Sequence, residues 1–202
     1  MFSIVEKSSL SILLLICIVS FSWEIIKRFK IILKGEGSLP FDNIGSRLFR
    51  VFSEFLLQTK VLKQRFIPGL MHAFVFWGFI AFSLITIDHF LRGFNSALFS
   101  DSLRYYYSLI FGLPWSVLVL IGILYLAYRR FYKRPKFLGE KISYTSAIVT
   151  IFISILMLTY MLDAFWIITN SHPSNITFKI NWWVHAILIL GFLFLIPRSK
   201  HL

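Results

Sequence analysis

Residues 68–89, PGLMHAFVFWGFIAFSLITIDH, decide how the rest of the chain is read. Between His72 and His89 every residue except Ser83, Thr86 and Asp88 is apolar or glycine, the composition of a helix that crosses a bilayer, with an imidazole near each end. Seventeen steps separate the two histidines. At 1.5 Å per residue this sets the rings roughly 25 Å apart along the axis, inside a hydrocarbon core about 30 Å thick. One other stretch, residues 182–202, WWVHAILILGFLFLIPRSKHL, has the same form, with His185 and His201 sixteen residues apart. Two antiparallel helices of this kind set four imidazoles in two layers, one histidine per helix in each layer. That is a scaffold for two b-type haems.

Composition agrees. The 202-residue chain is 57% hydrophobic, with a mean hydropathy of +0.76, and its apolar residues form long blocks instead of helical stripes, which excludes an ordinary soluble domain. The net charge of +12 would suggest a nucleic-acid partner in a soluble protein, but here the basic residues flank apolar blocks and read as a membrane topology signal, with lipid and not nucleic acid as the partner. The single cysteine, Cys17, lies inside the first apolar run, so any iron–sulfur cluster belongs to a partner or a following domain.

The pattern predicts an all-α bundle forming a single domain over residues 1–202, with five membrane helices at about 8–26, 67–88, 105–128, 142–168 and 182–198. The first lacks the basic lead-in and small-residue cleavage site of a signal peptide and reads as an uncleaved span. Residues 27–65 carry nine Lys or Arg against three acids, and residues 129–141 carry six against one, so both loops are expected on the cytoplasmic side, with the N-terminus outside and the C-terminus inside. An amphipathic interfacial helix is expected over about 43–64, where Leu48, Val51, Phe52, Phe55 and Leu56 follow helical spacing among charges. It reads as a membrane-adhering element, with a docking surface for a partner as the alternative. Pro114 predicts a kink in the third span. Glu24 and Asp163 read as interfacial acids, Asp163 having proton handling as its alternative, and His172 beside Pro173 reads as a solvated loop residue. Gly78 and Gly191 suit either close approach of a macrocycle or plain helix packing.

GLMHAFVFWGF after a basic lead-in, and WWVHAILILGFLFLIPRSKHL at the end, resemble the haem b membrane subunit of respiratory nitrate reductases. They look closer still to the membrane part of heterodisulfide-reductase-like proteins, in which a cytochrome b region is joined or bound to a cysteine-rich iron–sulfur domain. The resemblance implies a five-helix bundle in which helices two and five hold the haems. It matches His72 to the inner-haem ligand and His185 to the outer-haem ligand. The nitrate reductase pattern has its second helix-two histidine where this chain has Phe82, so His89 takes that role at a different depth. On helix five the family ligand falls one position past Leu202, leaving His201 as inner ligand on a distorted helix, or the 202 residues as an excerpt cut before the true ligand and its iron–sulfur domain. The excerpt is the favoured expectation.

The function these features imply is that of a multi-pass cytochrome b module in the cell's inner (cytoplasmic) membrane, an electron-transfer domain or subunit of a quinone oxidoreductase. It would pass electrons between a cytoplasmic iron–sulfur or electron-transfer flavoprotein partner and menaquinone or ubiquinone. Asp88, Arg92 and Arg104 are the candidate quinone residues, since a quinone needs a hydrogen-bond donor and a proton source beside an apolar slot. The arginines equally suit haem propionates or lipid phosphate. A haemless membrane anchor for a redox complex is the alternative. A transporter would want ionisable groups at the bilayer midplane, and here they fall near helix ends.

Overall fold

A computed structural model describes residues 2–35, 42–135 and 144–198. Among them all regular structure is helical, and five helical runs are long and apolar enough to cross a membrane. The first is α1 (Ile4–Ile32). Two short pieces, α2 (Ile44–Val51) and α3 (Thr59–Gln64), precede the second span, α4 (Phe66–Gly93). The third is a continuous run made of α5 (Asp101–Tyr106), a π-turn at Tyr107–Gly112, α6 (Leu113–Ala127) and a second π-turn at Tyr128–Lys133. The last two are α7 (Tyr144–Ile168) and α8 (Asn175–Leu195), which ends in a 3₁₀ turn through Arg198. The chain is therefore a multi-pass membrane protein, and its outer surface of exposed Ile, Leu, Val and Phe fits lipid as the solvent.

Polar caps, not hydropathy, set the helix ends. Ser3 and Glu6 close a capping box on α1, the Ser3 hydroxyl accepting from the Glu6 amide and the Glu6 carboxylate from the Ser3 amide. Ser100 caps α5 and Ser174 caps α8. As a result α8 begins seven residues before Trp182, the expected start, and His185 lies well inside the helix. Likewise α4 runs past His89 to Gly93, so Asp88 and His89 belong to its last turns and not to a loop. The expected kink at Pro114 is realised as the π-turn immediately before it: proline opens the helix ladder one turn upstream, and the wider turn absorbs the break.

The stretch expected as one helix over 43–64 is divided. A π-turn at Phe52–Leu56 follows α2, and Gln58 then takes a left-handed conformation (φ 53°) that starts α3 in a new direction. The buried Gln58 amide donates to the Phe55 carbonyl at 2.5 Å and stabilises this corner.

The bundle is a chain of neighbours. α4 packs on α6, α6 on α7, α7 on α8, and α8 on α1. Gly122 lets the Met71 carbonyl of α4 approach α6, while a Cβ at Gly78 would strike Val119 and Trp115 of α6, and one at Gly191 would strike Phe152 of α7. Gly78 and Gly191 thus serve helix packing. α1 runs parallel to α8 and is tied at both ends, by Lys179 to Glu6 at 2.9 Å and by Arg28 to the Pro197 carbonyl at 2.7 Å. α4 and α8 do not pack backbone to backbone. They face each other through side chains, including the Phe79–Phe192 edge contact with ring centres 5.9 Å apart. This side-chain-filled gap contains the candidate site.

Candidate functional site

His89 of α4 and His185 of α8 meet across the gap, with ring centres 4.8 Å apart and planes inclined at 52°. Each ring is fixed by different partners. His89 stacks on Trp182 at 4.7 Å with planes 10° apart, and the Trp182 indole N–H donates to the His89 carbonyl at 3.3 Å. His185 Nδ1 lies 2.7 Å from the Thr159 hydroxyl of α7, whose own proton goes to the Ile155 carbonyl at 2.9 Å. With the hydroxyl proton on that carbonyl, the oxygen accepts from His185, an arrangement that puts the imidazole proton on Nδ1 and leaves the Nε2 lone pair free. His89 Nε2 is buried without a hydrogen-bond partner. An orphaned imidazole nitrogen is costly in a bundle of this kind unless it has another use, and two such rings in contact offer nitrogens that could hold one metal centre.

The surroundings fit a large apolar group. A cavity of about 420 Å³ lies between α4, α7 and α8, lined by His185 with Phe82, Phe90, Met157 and Leu190. A second, of about 600 Å³, opens toward the other end of the bundle and is lined by His72 with Phe55, Phe76, Arg129 and Arg130. Both fall within the range of cofactor pockets. They share Phe79 and Phe192, whose rings stand between them. His185 lines the first cavity, whereas His89 lines only a small polar chamber beside it, and the two rings touch, so a b-type haem would be held between them only once the rings part. Among the described residues no three His, Cys, Asp or Glu side chains gather to hold a bare metal ion.

The remaining expected residues divide. His72 is exposed at the rim of the second cavity, and its expected partner His201 lies outside the described residues. His172 is exposed in the loop before α8. Asp88, only 2% exposed, is fully used in fixing the turn after α4: its carboxylate accepts from the Leu98 and Phe99 amides at 2.8 and 3.0 Å and from Arg92 at 2.7 Å. Arg92 also reaches the Phe99 carbonyl at 3.0 Å. Arg104 pairs with Asp163 of α7 at 2.5 Å and lines a small polar chamber together with both imidazoles. Of the three residues considered for a quinone, Asp88 and Arg104 both line this chamber with the histidine pair.

Thr159, Tyr160 and Trp182 were not singled out by sequence reasoning. A signal existed for the first two: with Asp163 they interrupt an apolar run in α7 at a spacing that sets Thr159 and Asp163 on one helix face.

Among known proteins, no family model matches the chain and no solved structure matches it. It is 26% identical over 184 residues to the probable iron–sulfur-binding oxidoreductase FadF of Bacillus subtilis (strain 168), covering 77% of this chain and 25% of that protein. It is 25% identical over 158 residues to the EtfAB:quinone oxidoreductase of Syntrophomonas wolfei subsp. wolfei (strain DSM 2245B / Goettingen), covering 75% of this chain and 21% of that protein. The chain thus spans about a quarter or less of the length of these relatives. The similarities support a broad relationship to electron-transfer oxidoreductases.

Proposed function

We propose that this chain is the membrane electron-transfer module of a quinone oxidoreductase, with a b-type haem held between His89 and His185. The observation that carries the reading is the meeting of two imidazoles from different membrane helices, each with a ring nitrogen that no described protein group uses. Bis-imidazole haem supplies one-electron chemistry between ferric and ferrous iron. The chain's own residues do the rest: Thr159 fixes the His185 tautomer, Trp182 holds the plane of His89, and Phe82, Met157 and Leu190 keep water from the cavity.

His72 would hold a second haem in the other cavity, with His201 or a residue past Leu202 as its partner. The basic residues of 27–65 and 129–134 support a cytoplasmic position for that end of the bundle, in the cell's inner membrane on this reading. There the 42–65 segment would meet a cysteine-rich iron–sulfur domain or subunit, with electron-transfer flavoprotein beyond it, as the names of the two relatives suggest. Menaquinone or ubiquinone would exchange electrons near Arg104.

The test is the reduced-minus-oxidised visible spectrum of the detergent-purified chain, with haem counted per polypeptide. A b-type spectrum supports the proposal. A protein that folds and carries no haem, even when supplied with it, leaves the haemless anchor as the account.

A further inference from the structure

The cavity of about 600 Å³ at the end of the bundle away from the histidine pair has walls of two kinds. Its body is apolar, formed by Phe76 and Phe79 of α4, Ile123 of α6 and Phe192 of α8, whereas Arg129 and Arg130 line it from the end of the α6 run. The π-turn at Tyr128–Lys133 explains how two neighbours in sequence line one space. A wider turn rotates the chain less per residue than an α-helix does, so both guanidiniums meet the cavity while Tyr128 and Tyr132 stack on each other, exposed, with ring centres 5.2 Å apart. Both arginines are half-buried, in contrast to Arg50 of α2, whose side chain is 77% exposed. A further wall is Phe55, brought over by the π-turn that follows α2. It meets Phe76 edge-on with ring centres 5.0 Å apart, and the Trp77 indole N–H donates to the neighbouring Leu56 carbonyl at 2.7 Å and pins the segment there. Arginines that reach for water explain a basic helix end. They do not explain a cofactor-sized apolar space beside them that a separate segment walls in.

We propose that this cavity is a binding site for an anionic amphiphile, a ligand whose apolar body fills the space between α4, α6, α7 and α8 and whose carboxylate or phosphate oxygens are held by Arg129 and Arg130. A planar guanidinium donates two parallel hydrogen bonds to either kind of oxyanion, and two guanidiniums side by side suit a ligand with two acidic groups or one doubly shared phosphate. Removal of the apolar body from water or lipid headgroups drives entry, and the arginines fix which end of the ligand lies at the rim. Two sources offer this chemistry. One is a haem, with its two propionate carboxylates at the arginines and its iron at His72; that source rests on the haem reading given above. The other is an anionic phospholipid, with its phosphate at the arginines and its chains below, and it needs no haem.

The experiment neutralises first the ligand and then the protein. The chain in detergent, freed of haem, is titrated with haem and with haem dimethyl ester, in which both carboxylates are methylated, following the spectral component that His72→Ala removes. The same protein is equilibrated with mixed micelles of phosphatidylglycerol or phosphatidylcholine, and retained lipid is counted by native mass spectrometry. With haem as the ligand, the ester should bind about tenfold or more weakly than haem at the His72 component, the loss expected when charge-assisted hydrogen bonds are removed. The double variant Arg129→Gln, Arg130→Gln should erase that difference, and Arg129→Lys, Arg130→Lys should keep part of it. The component that His89→Ala removes should stay unchanged in both variants, which reports that they fold. With phospholipid as the ligand, phosphatidylglycerol should be retained about tenfold or more over phosphatidylcholine, and the glutamine variant should lose the preference. No haem at either site together with a phosphatidylglycerol preference strikes the proposed function and keeps this site. A wild-type protein that prefers neither haem over its ester nor phosphatidylglycerol over phosphatidylcholine overturns the proposal, as does a preference that survives in the glutamine variant. If that variant does not fold, the wild-type comparison of charged and neutral ligands decides.

Discussion

His185 Nδ1 and the Thr159 hydroxyl are 2.7 Å apart, and that contact joins α7 to the histidine pair formed by α4 and α8. A hydroxyl that donates to the Ile155 carbonyl accepts from Nδ1, and that tautomer is the one whose Nε2 the proposed haem would need. Removing the hydroxyl should leave the helix intact and loosen the ring. Thr159→Val is expected to weaken haem binding about 10–100-fold, the usual cost of losing such a support. Thr159→Ser should recover most of it. Haem titration of the stripped protein measures both, and unchanged affinity in Thr159→Val would remove this contact from the account.

Asp88 should matter for stability more than for electron transfer. It receives three hydrogen bonds that close the turn between α4 and α5, and Asp88→Ala leaves two amides without their acceptor and takes from Arg92 its buried carboxylate, leaving it the Phe99 carbonyl and the exposed Asp101. Breaking a buried pair from one side costs about 3–5 kcal/mol. Thermal unfolding in detergent should show this loss, and Asp88→Asn should show a smaller one. A stable Asp88→Ala protein with impaired quinone reduction would return Asp88 to the quinone site.

Gly112 and Tyr160 should be coupled. A Cβ at Gly112 would run into the Tyr160 hydroxyl and stand 2.8 Å from its Cζ. Gly112→Ala is therefore expected to destabilise the bundle by about 1–3 kcal/mol. Tyr160→Phe in the same protein removes the hydroxyl but not the ring, so it should relieve only part of the strain. A double-mutant cycle should give an interaction energy of at least about 0.5 kcal/mol. Additive losses would show that Gly112 serves the π-turn and not the tyrosine.

How much of this was readable beforehand follows from what each signal reports. Hydropathy reports contact with lipid, and it located all five spans. It does not report helix ends, which depend on single hydrogen bonds at Ser3, Ser100 and Ser174, so α1, the α5–α6 run and α8 each begin before the apolar run. Depth along antiparallel helices predicted that His89 would lie level with His185, because helix rise is nearly constant. Thr159 escaped notice because its role exists only once α7 and α8 are packed. The division of 43–64 rests on the left-handed conformation of Gln58, which periodicity does not encode.

The sharpest prediction concerns which histidines act together. His89 and His185 touch in one layer, whereas His72 faces a separate cavity beyond the Phe79–Phe192 rings. Two ligands of one iron form a unit, so removal of either should cost nearly what removal of both costs. His89→Ala and His185→Ala are therefore each expected to lose the same spectral component, and the double variant should lose no more. His72→Ala should spare that component and remove a different one, if a second haem is bound. Haem per polypeptide and the low-temperature spectrum of each variant measure this. Losses that add between His89 and His185 would place the two rings on different centres, and the 4.8 Å contact between them would then be packing alone.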